Sequence, residues 1–118
     1  MGQPATPYQK MFEDAVKRGD MLNLQTILED RGGKINVNLY DTEGQTALHQ
    51  GCLEGNLELV KLLVNFGADV RLCNRDGWAP LHIAAYGGHN EITLYLINAN
   101  RINSKNARNN QQPQEERT

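Results

Sequence analysis

The stretch Glu43-Gly-Gln-Thr-Ala-Leu-His49 returns 33 positions later as Asp76-Gly-Trp-Ala-Pro-Leu-His82. The same shift pairs Gly55 with Gly88, Glu58 with Glu91, Leu63 with Leu96 and Asn65 with Asn98. With Gly44/Gly77, Leu48/Leu81 and His49/His82 these make seven identities, and they fall at structurally demanding places. Glycines stand at turns, leucines at helical spacing, and a histidine directly after a leucine. A fixed period of this size marks supersecondary units that cannot bury an apolar face alone and do so by stacking on their neighbours.

These units closely resemble the ankyrin repeat, with its Thr-Pro-Leu-His-x-Ala signature. A third, degenerate copy lies upstream, where Ala15, Gly19, Leu24, Ile27 and Leu28 keep the offsets of Gly51, Gly55, Val60, Leu63 and Val64. Its connection, Asp30 to Asn38, is three residues longer than the period allows. The expected fold is therefore all-α, an ankyrin-repeat solenoid of three helix-turn-helix repeats at about 8–40, 41–73 and 74–103. Residues 1–7 read as a flexible N-terminus and 104–118 as a disordered polar tail whose one apolar residue is Ala107.

Local chemistry supports paired helices. Asn56 and Asn90 stand where an N-cap is wanted, and Glu58 and Glu91 place negative charge near the positive end of a helix dipole. His89 replaces Asn56 at its helix start and reads as a polar cap. Gly67 is placed to close the second repeat at positive φ, with Asn100 as its counterpart in the third. Pro80 falls in a first turn, where its missing N–H is harmless.

Twelve Lys and Arg against fourteen Asp and Glu give a net charge of −2 with interspersed signs. No direct nucleic-acid binding by bulk electrostatics is expected. No apolar run is long enough for a membrane span, and the N-terminus lacks the order of a signal peptide. Cys52 and Cys73 form no Cys-x-x-Cys pair, so the default setting is reduced, cytosolic or nuclear.

His49 and His82 are the tempting catalytic or metal candidates. Their identical repeat positions and the lack of Cys, Asp or Glu at ligand spacing favour a structural role, bonding turn backbone in each unit. Gly44, Gly77, Gly55 and Gly88 are structural turn positions, and Gly87-Gly88 matches no phosphate-binding pattern. Cys52 reads as a small buried residue; Arg71 and Arg75 flank Cys73. Without an activated nucleophile, paired carboxylates, metal spacing or a cofactor motif, the chain reads as a non-enzyme with no metal and no cofactor.

The two ends of the array differ. In the first repeat Leu24, Ile27 and Leu28 form one apolar stripe among polar neighbours, as on a capping helix. In the middle repeat Leu57, Leu59, Val60, Leu62, Leu63, Val64 and Phe66 cover most of the helix, as between two neighbours. The third has Ile92, Tyr95 and Leu96 on one face and Leu94 and Ile97 on another. Solenoids need polar outer caps, so this second face implies that something stacks on it. Trp78 is read as standing where the repeat pattern favours Thr, as at Thr46 one unit earlier, and an indole beside a turn is a favoured interface anchor. Ala85 allows close helix approach and Tyr86 adds an amphipathic contact. The expected partner-binding set is Trp78, Ala85, Tyr86, Leu94 and Ile97.

Taken with Trp78, the runs Glu43 to Gln50, Gly55 to Val64, Phe66 to Asp69 and Asn74 to Trp78 resemble the Notch-regulated ankyrin repeat proteins, over about Phe12 to Ile97. That resemblance implies a nuclear and cytoplasmic regulator that attenuates Notch signalling. Its implied partners are the ankyrin repeats of the Notch intracellular domain and the CSL-type DNA-binding transcription factor, with a Wnt link through lymphoid enhancer factor. It also implies that Trp78 and Ala85 contact the Notch ankyrin domain. The alternative is a generic adaptor such as a phosphatase-targeting subunit, which shares Thr-Ala-Leu-His-Gln and Gly-Trp-x-Pro-Leu-His. That reading wants an Arg/Lys-Val-x-Phe motif before the repeats, and this sequence has none.

Overall fold

A computed structural model describes the backbone of residues 6–111 and the side chains of residues 6–101. Three helix pairs follow one another: α1 (Pro7–Arg18) with α2 (Met21–Arg31), α3 (Ala47–Glu54) with α4 (Leu57–Asn65), and α5 (Pro80–Tyr86) with α6 (Asn90–Gln111). A short 3-10 turn, Gly32–Lys34, follows α2, and the described residues contain no strand. Two layers result. α3 packs closely on α5, while α4 lies between α2 and α6.

One turn design joins the helices of every pair. Gly19, Gly55 and Gly88 all have positive φ. The next residue's N–H returns to a carbonyl of the helix just ended: Asp20 to Ala15, Asn56 to Gly51 and His89 to Ala84, at 2.9–3.1 Å. These bonds satisfy carbonyls that the helix end leaves unpaired. Side chains start the next helix, with the Asp20 carboxylate accepting from the Asn23 N–H and the Asn56 side chain from the Leu59 N–H.

Turn chemistry and burial then lock the pairs together. Leu24, Leu28, Leu48, Leu59, Leu63, Ile92 and Leu96 are all essentially inaccessible. Each such leucine stabilises by roughly 1.5–3 kcal/mol relative to exposure. Gly44 has φ +77°, and a Cβ there would come within 2.5 Å of Arg75 Cβ, so the turns of the second and third repeats nest only because that side chain is missing.

The first repeat is the irregular one. α1 has 12 residues against 8 in α3. Buried Gln9 accepts from the Asn36 N–H (2.8 Å) and donates to the Asn36 carbonyl (3.0 Å), which pins the longer connection. Thr6, assigned from the sequence to the N-terminal extension, caps α1 by accepting from the Gln9 N–H.

Several details differ from the sequence reading. Asn90 is the first residue of α6, and the residue before it, His89, supplies the carbonyl that accepts the first helical bond, from Thr93 at 2.9 Å. Asn100 does not end the last helix. With no Gly or Pro between Gly88 and Pro113 to break it, α6 runs on to Gln111, so residues 104–111 carry helical backbone. The remainder of the expected polar tail, 112–118, and residues 1–5 lie outside the described residues. No helix of the described residues is long and apolar enough to cross a membrane.

Candidate functional site: the outer face of the third repeat

The seam between the second and third repeats shows what a covered repeat face looks like. Thr46 caps α3, accepting from the His49 N–H. His49 Nδ1 accepts from the Thr46 N–H at 3.2 Å, and Nε2 lies 2.9 Å from the Trp78 carbonyl oxygen. The proton therefore sits on Nε2, which donates across the seam. His49 is fully buried, and burial holds its pKa below the ordinary value. The Trp78 and Leu72 carbonyls and the Asp41 carboxylate oppose that shift.

Further bonds tie turn to turn. The Arg75 N–H donates to the Gly44 carbonyl (3.0 Å), the Asn74 side-chain amide to Gln45 Oε1 (3.3 Å), and the Tyr40 hydroxyl to the Cys73 carbonyl (2.6 Å). Below them Cys52 is 0% exposed, its thiol pushed up to about 12 by burial, which removes it from thiolate chemistry.

At the third repeat the equivalent positions open to solvent. Ala85, the counterpart of Cys52, is exposed, and so is His82, the counterpart of His49. His82 Nδ1 repeats the local bond, accepting from the Ala79 N–H at 3.2 Å. Leu94 is 63% and Ile97 38% exposed. One repeat earlier their counterparts are Lys61, an exposed residue whose ammonium lies 5.9 Å from the centroid of the Tyr95 ring, and Val64, half-buried on the core. Beside them Val70, Leu81, His82 and Leu96 line a cleft of about 240 Å³.

Trp78 does not stand at the repeat position of Thr46. Residues 33 apart place Ala79, not Trp78, opposite Thr46, and both Thr46 and Ala79 occupy the N-cap of their helices. The counterpart of Trp78 is Gln45, an edge residue that faces the next turn. The Trp78 backbone is held inward, its N–H on Asn74 Oδ1 (2.9 Å) and its carbonyl on His49. The indole is 39% exposed and stands edge-on to Tyr86 and His82, with ring centroids 5.6 and 6.4 Å away.

Tyr86 belongs to a different surface. It is 84% exposed, but its counterpart Leu53, inside the array, is 62% exposed as well. Both line a groove with Trp78, Gln45 and Ile83 on the α3/α5 side. Ala85, Leu94 and Ile97 thus share the end face, Tyr86 lies on the groove rim, and Trp78 joins the two.

Residue-type reasoning missed Asp41, Asn74, Asn38 and Gln9. Asp41 and Asn74 each accept backbone N–H groups two and four residues on, shaping matching turn tips. Asn38 bridges to Gly67 and Asp69. A short polar side chain three residues before a turn glycine was the available signal for Asp41 and Asn74. Gly44, Gly77, Gly55 and Gly88 all sit at positive φ. Among the described residues no three or more His, Cys, Asp or Glu side chains cluster in a way that could hold a metal ion.

Residues 12–108 match the family model for ankyrin repeats in three copies. The Notch-regulated ankyrin repeat-containing protein of Xenopus tropicalis is 58% identical over 99 residues, covering 82% of this chain and 87% of its own. The human protein of that name is 59% identical over 90 residues, 75% of this chain and 79% of its own. Mouse protein phosphatase 1 regulatory subunit 27 is 40% identical over 91 residues, 77% of this chain but 58% of its own.

Proposed function

This chain belongs to the ankyrin-repeat family, among the Notch-regulated ankyrin repeat-containing proteins, and from that premise we propose that it regulates Notch signalling by stacking. Ankyrin arrays are protein-interaction scaffolds, and here the surface for interaction is the end of the stack. The outer face of α5 and α6 docks on the ankyrin repeats of the Notch intracellular domain, in complex with the CSL-type transcription factor. Docking attenuates Notch output. The protein works in nucleus and cytoplasm, and the family resemblance adds a link to Wnt signalling through lymphoid enhancer factor.

One observation carries this reading. Positions that are sealed at the middle repeat (Cys52, His49) are open at the third (Ala85, His82), with Leu94, Ile97 and Trp78 adding apolar surface around them. A buried aromatic anchor surrounded by small and aliphatic side chains is how interface energy is concentrated.

Trp78→Glu or Ala85→Trp should weaken binding to Notch intracellular domain plus CSL factor by about 2 kcal/mol or more, with helix content unchanged. A mobility-shift titration on CSL-site DNA, with circular dichroism of each variant, measures both. Undiminished supershift by the variants overturns the docking face. The 40% identity to a phosphatase regulatory subunit favours, as a second reading, an adaptor for a phosphatase; co-precipitation of protein phosphatase 1 by a chain that gives no Notch-dependent supershift would install it.

A further inference from the structure

We propose that His82 and the Gly77 carbonyl form a backbone-reading latch that takes hold of a turn in the partner's terminal repeat. This rests on the stacking reading above and adds to it the polar chemistry that aligns the two arrays. The template is the seam inside the molecule. There four bonds tie residues 40–49 to the next turn at 73–78, and two of them join a residue type retained one repeat later, Gly44 or His49, to a backbone atom of that turn.

The four bonds fare differently when shifted by one repeat. Tyr40 becomes Cys73, and Gln45 becomes Trp78, so two side-chain links are gone and an indole replaces one of them. Gly44 becomes Gly77 and His49 becomes His82, so two remain possible. Gly77 has φ +87° against +77° for Gly44, and the turn is again closed by a bond to the residue three before it. His82 repeats the Nδ1 bond to its own helix cap, which leaves the proton on Nε2, as in His49. Neither the Gly77 carbonyl nor His82 Nε2 has a hydrogen-bond partner among the described residues.

The geometry of the internal seam states what would complete them. A backbone N–H in the position of Arg75 meets the glycine carbonyl, and a backbone carbonyl three residues later, in the position of Trp78, meets the histidine. Both belong to one turn tip, shaped by a short polar side chain as in Asn74. The occupant is therefore the turn of an ankyrin-type repeat from another protein, read through its backbone, while Trp78, Ala85, Leu94 and Ile97 supply the apolar contact. Such a latch sets register without demanding a particular partner sequence, because the groups it reads are present in every residue but proline.

The test uses the full chain with the Notch ankyrin domain and CSL factor in isothermal titration. His82→Ala should weaken binding about tenfold, since a docked carbonyl loses its donor in a water-poor seam. His82→Gln, whose amide can still donate, should recover part of that loss; both free variants lose the ring bond to the Ala79 N–H and should melt slightly lower than the parent, with helix content at the assay temperature unchanged. A ring-nitrogen NMR experiment on the parent should show the His82 Nε2–H protected from exchange only in the complex. Parent binding with equal affinity from His82→Ala, or an unprotected Nε2–H in the complex, overturns the latch and leaves the stacking reading standing. Failure of the parent to bind overturns both. Self-association of the parent that His82→Ala abolishes reassigns the face to a second copy and overturns the latch as stated.

Discussion

Cys52 and Ala85 occupy the same place in successive repeats, yet the first is sealed beneath α5 and the second faces solvent. His49 and His82 part in the same way. The local hydrogen bond from ring to helix cap is identical in both, so it belongs to the repeat and not to the stack. What changes is the far nitrogen, which in His49 reaches the next turn. The repeat thus builds half of an interface by itself and waits for a neighbour to supply the other half. The third repeat keeps that half-interface and adds Trp78, Leu94 and Ile97 to it, where a terminal cap would carry polar side chains.

Overpacking breaks this comparison most severely. Cys52→Trp forces an indole into a site with no accessible surface, with Val60 and Leu59 already within 3.4 Å of where a Cβ on the adjacent Gly51 would be. The expected loss is about 3 kcal/mol or more in urea unfolding followed by circular dichroism. Ala85→Trp, the same change one repeat later, should alter the stability of the unbound chain by less than about 0.5 kcal/mol. Equal losses at the two positions would mean that the end face is already packed in the isolated protein.

Much of this was legible in the residues. The period, the glycine turns and the helical spacing of the leucines each follow from short-range rules, so three helix pairs could be read directly. Register was legible too: the period of 33 pairs Ala79 with Thr46 and Trp78 with Gln45, and the shared N-cap position agrees with it. The end of the last helix was not. Asn tolerates positive φ without requiring it, so a helix free of Gly and Pro continues through it. The sequence places Tyr86 on the end face beside Ala85, whereas the exposure of Leu53 shows that this position lines the groove in the second and third repeats alike. The Gln9 to Asn36 link spans 27 residues between unlike elements, and no local pattern encodes it.

A milder probe is pH. Burial lowers the pKa of His49 from its ordinary value of 6.5, more than the Trp78 and Leu72 carbonyls and Asp41 raise it. The unfolded chain then binds more protons than the folded one in acid, so stability rises with pH through this range. On acidification it should fall as pH drops through about 6.5 and level off once the folded value is passed. Melting temperatures between pH 8 and pH 5 would show the step, and His49→Gln should flatten it at a lower overall stability. A step unchanged in His49→Gln would assign the proton uptake elsewhere.

Leu94→Lys sharpens the comparison with the smallest expected change. Lys61, the matching residue one repeat earlier, lies along α6 with its ammonium over the Tyr95 ring, so the position accepts a long stem with a charged end even where a neighbour is present. Leu94 itself is 63% exposed and contributes little to the isolated core. The substitution should shift unfolding free energy by less than about 0.5 kcal/mol. Partner affinity should fall by no more than about threefold, because lysine keeps its aliphatic stem on the apolar surface while its charge reaches water. A larger loss of binding would show that the partner's helix closes over this position more tightly than α6 closes over Lys61, and a large loss of stability would place Leu94 in the monomer's own core.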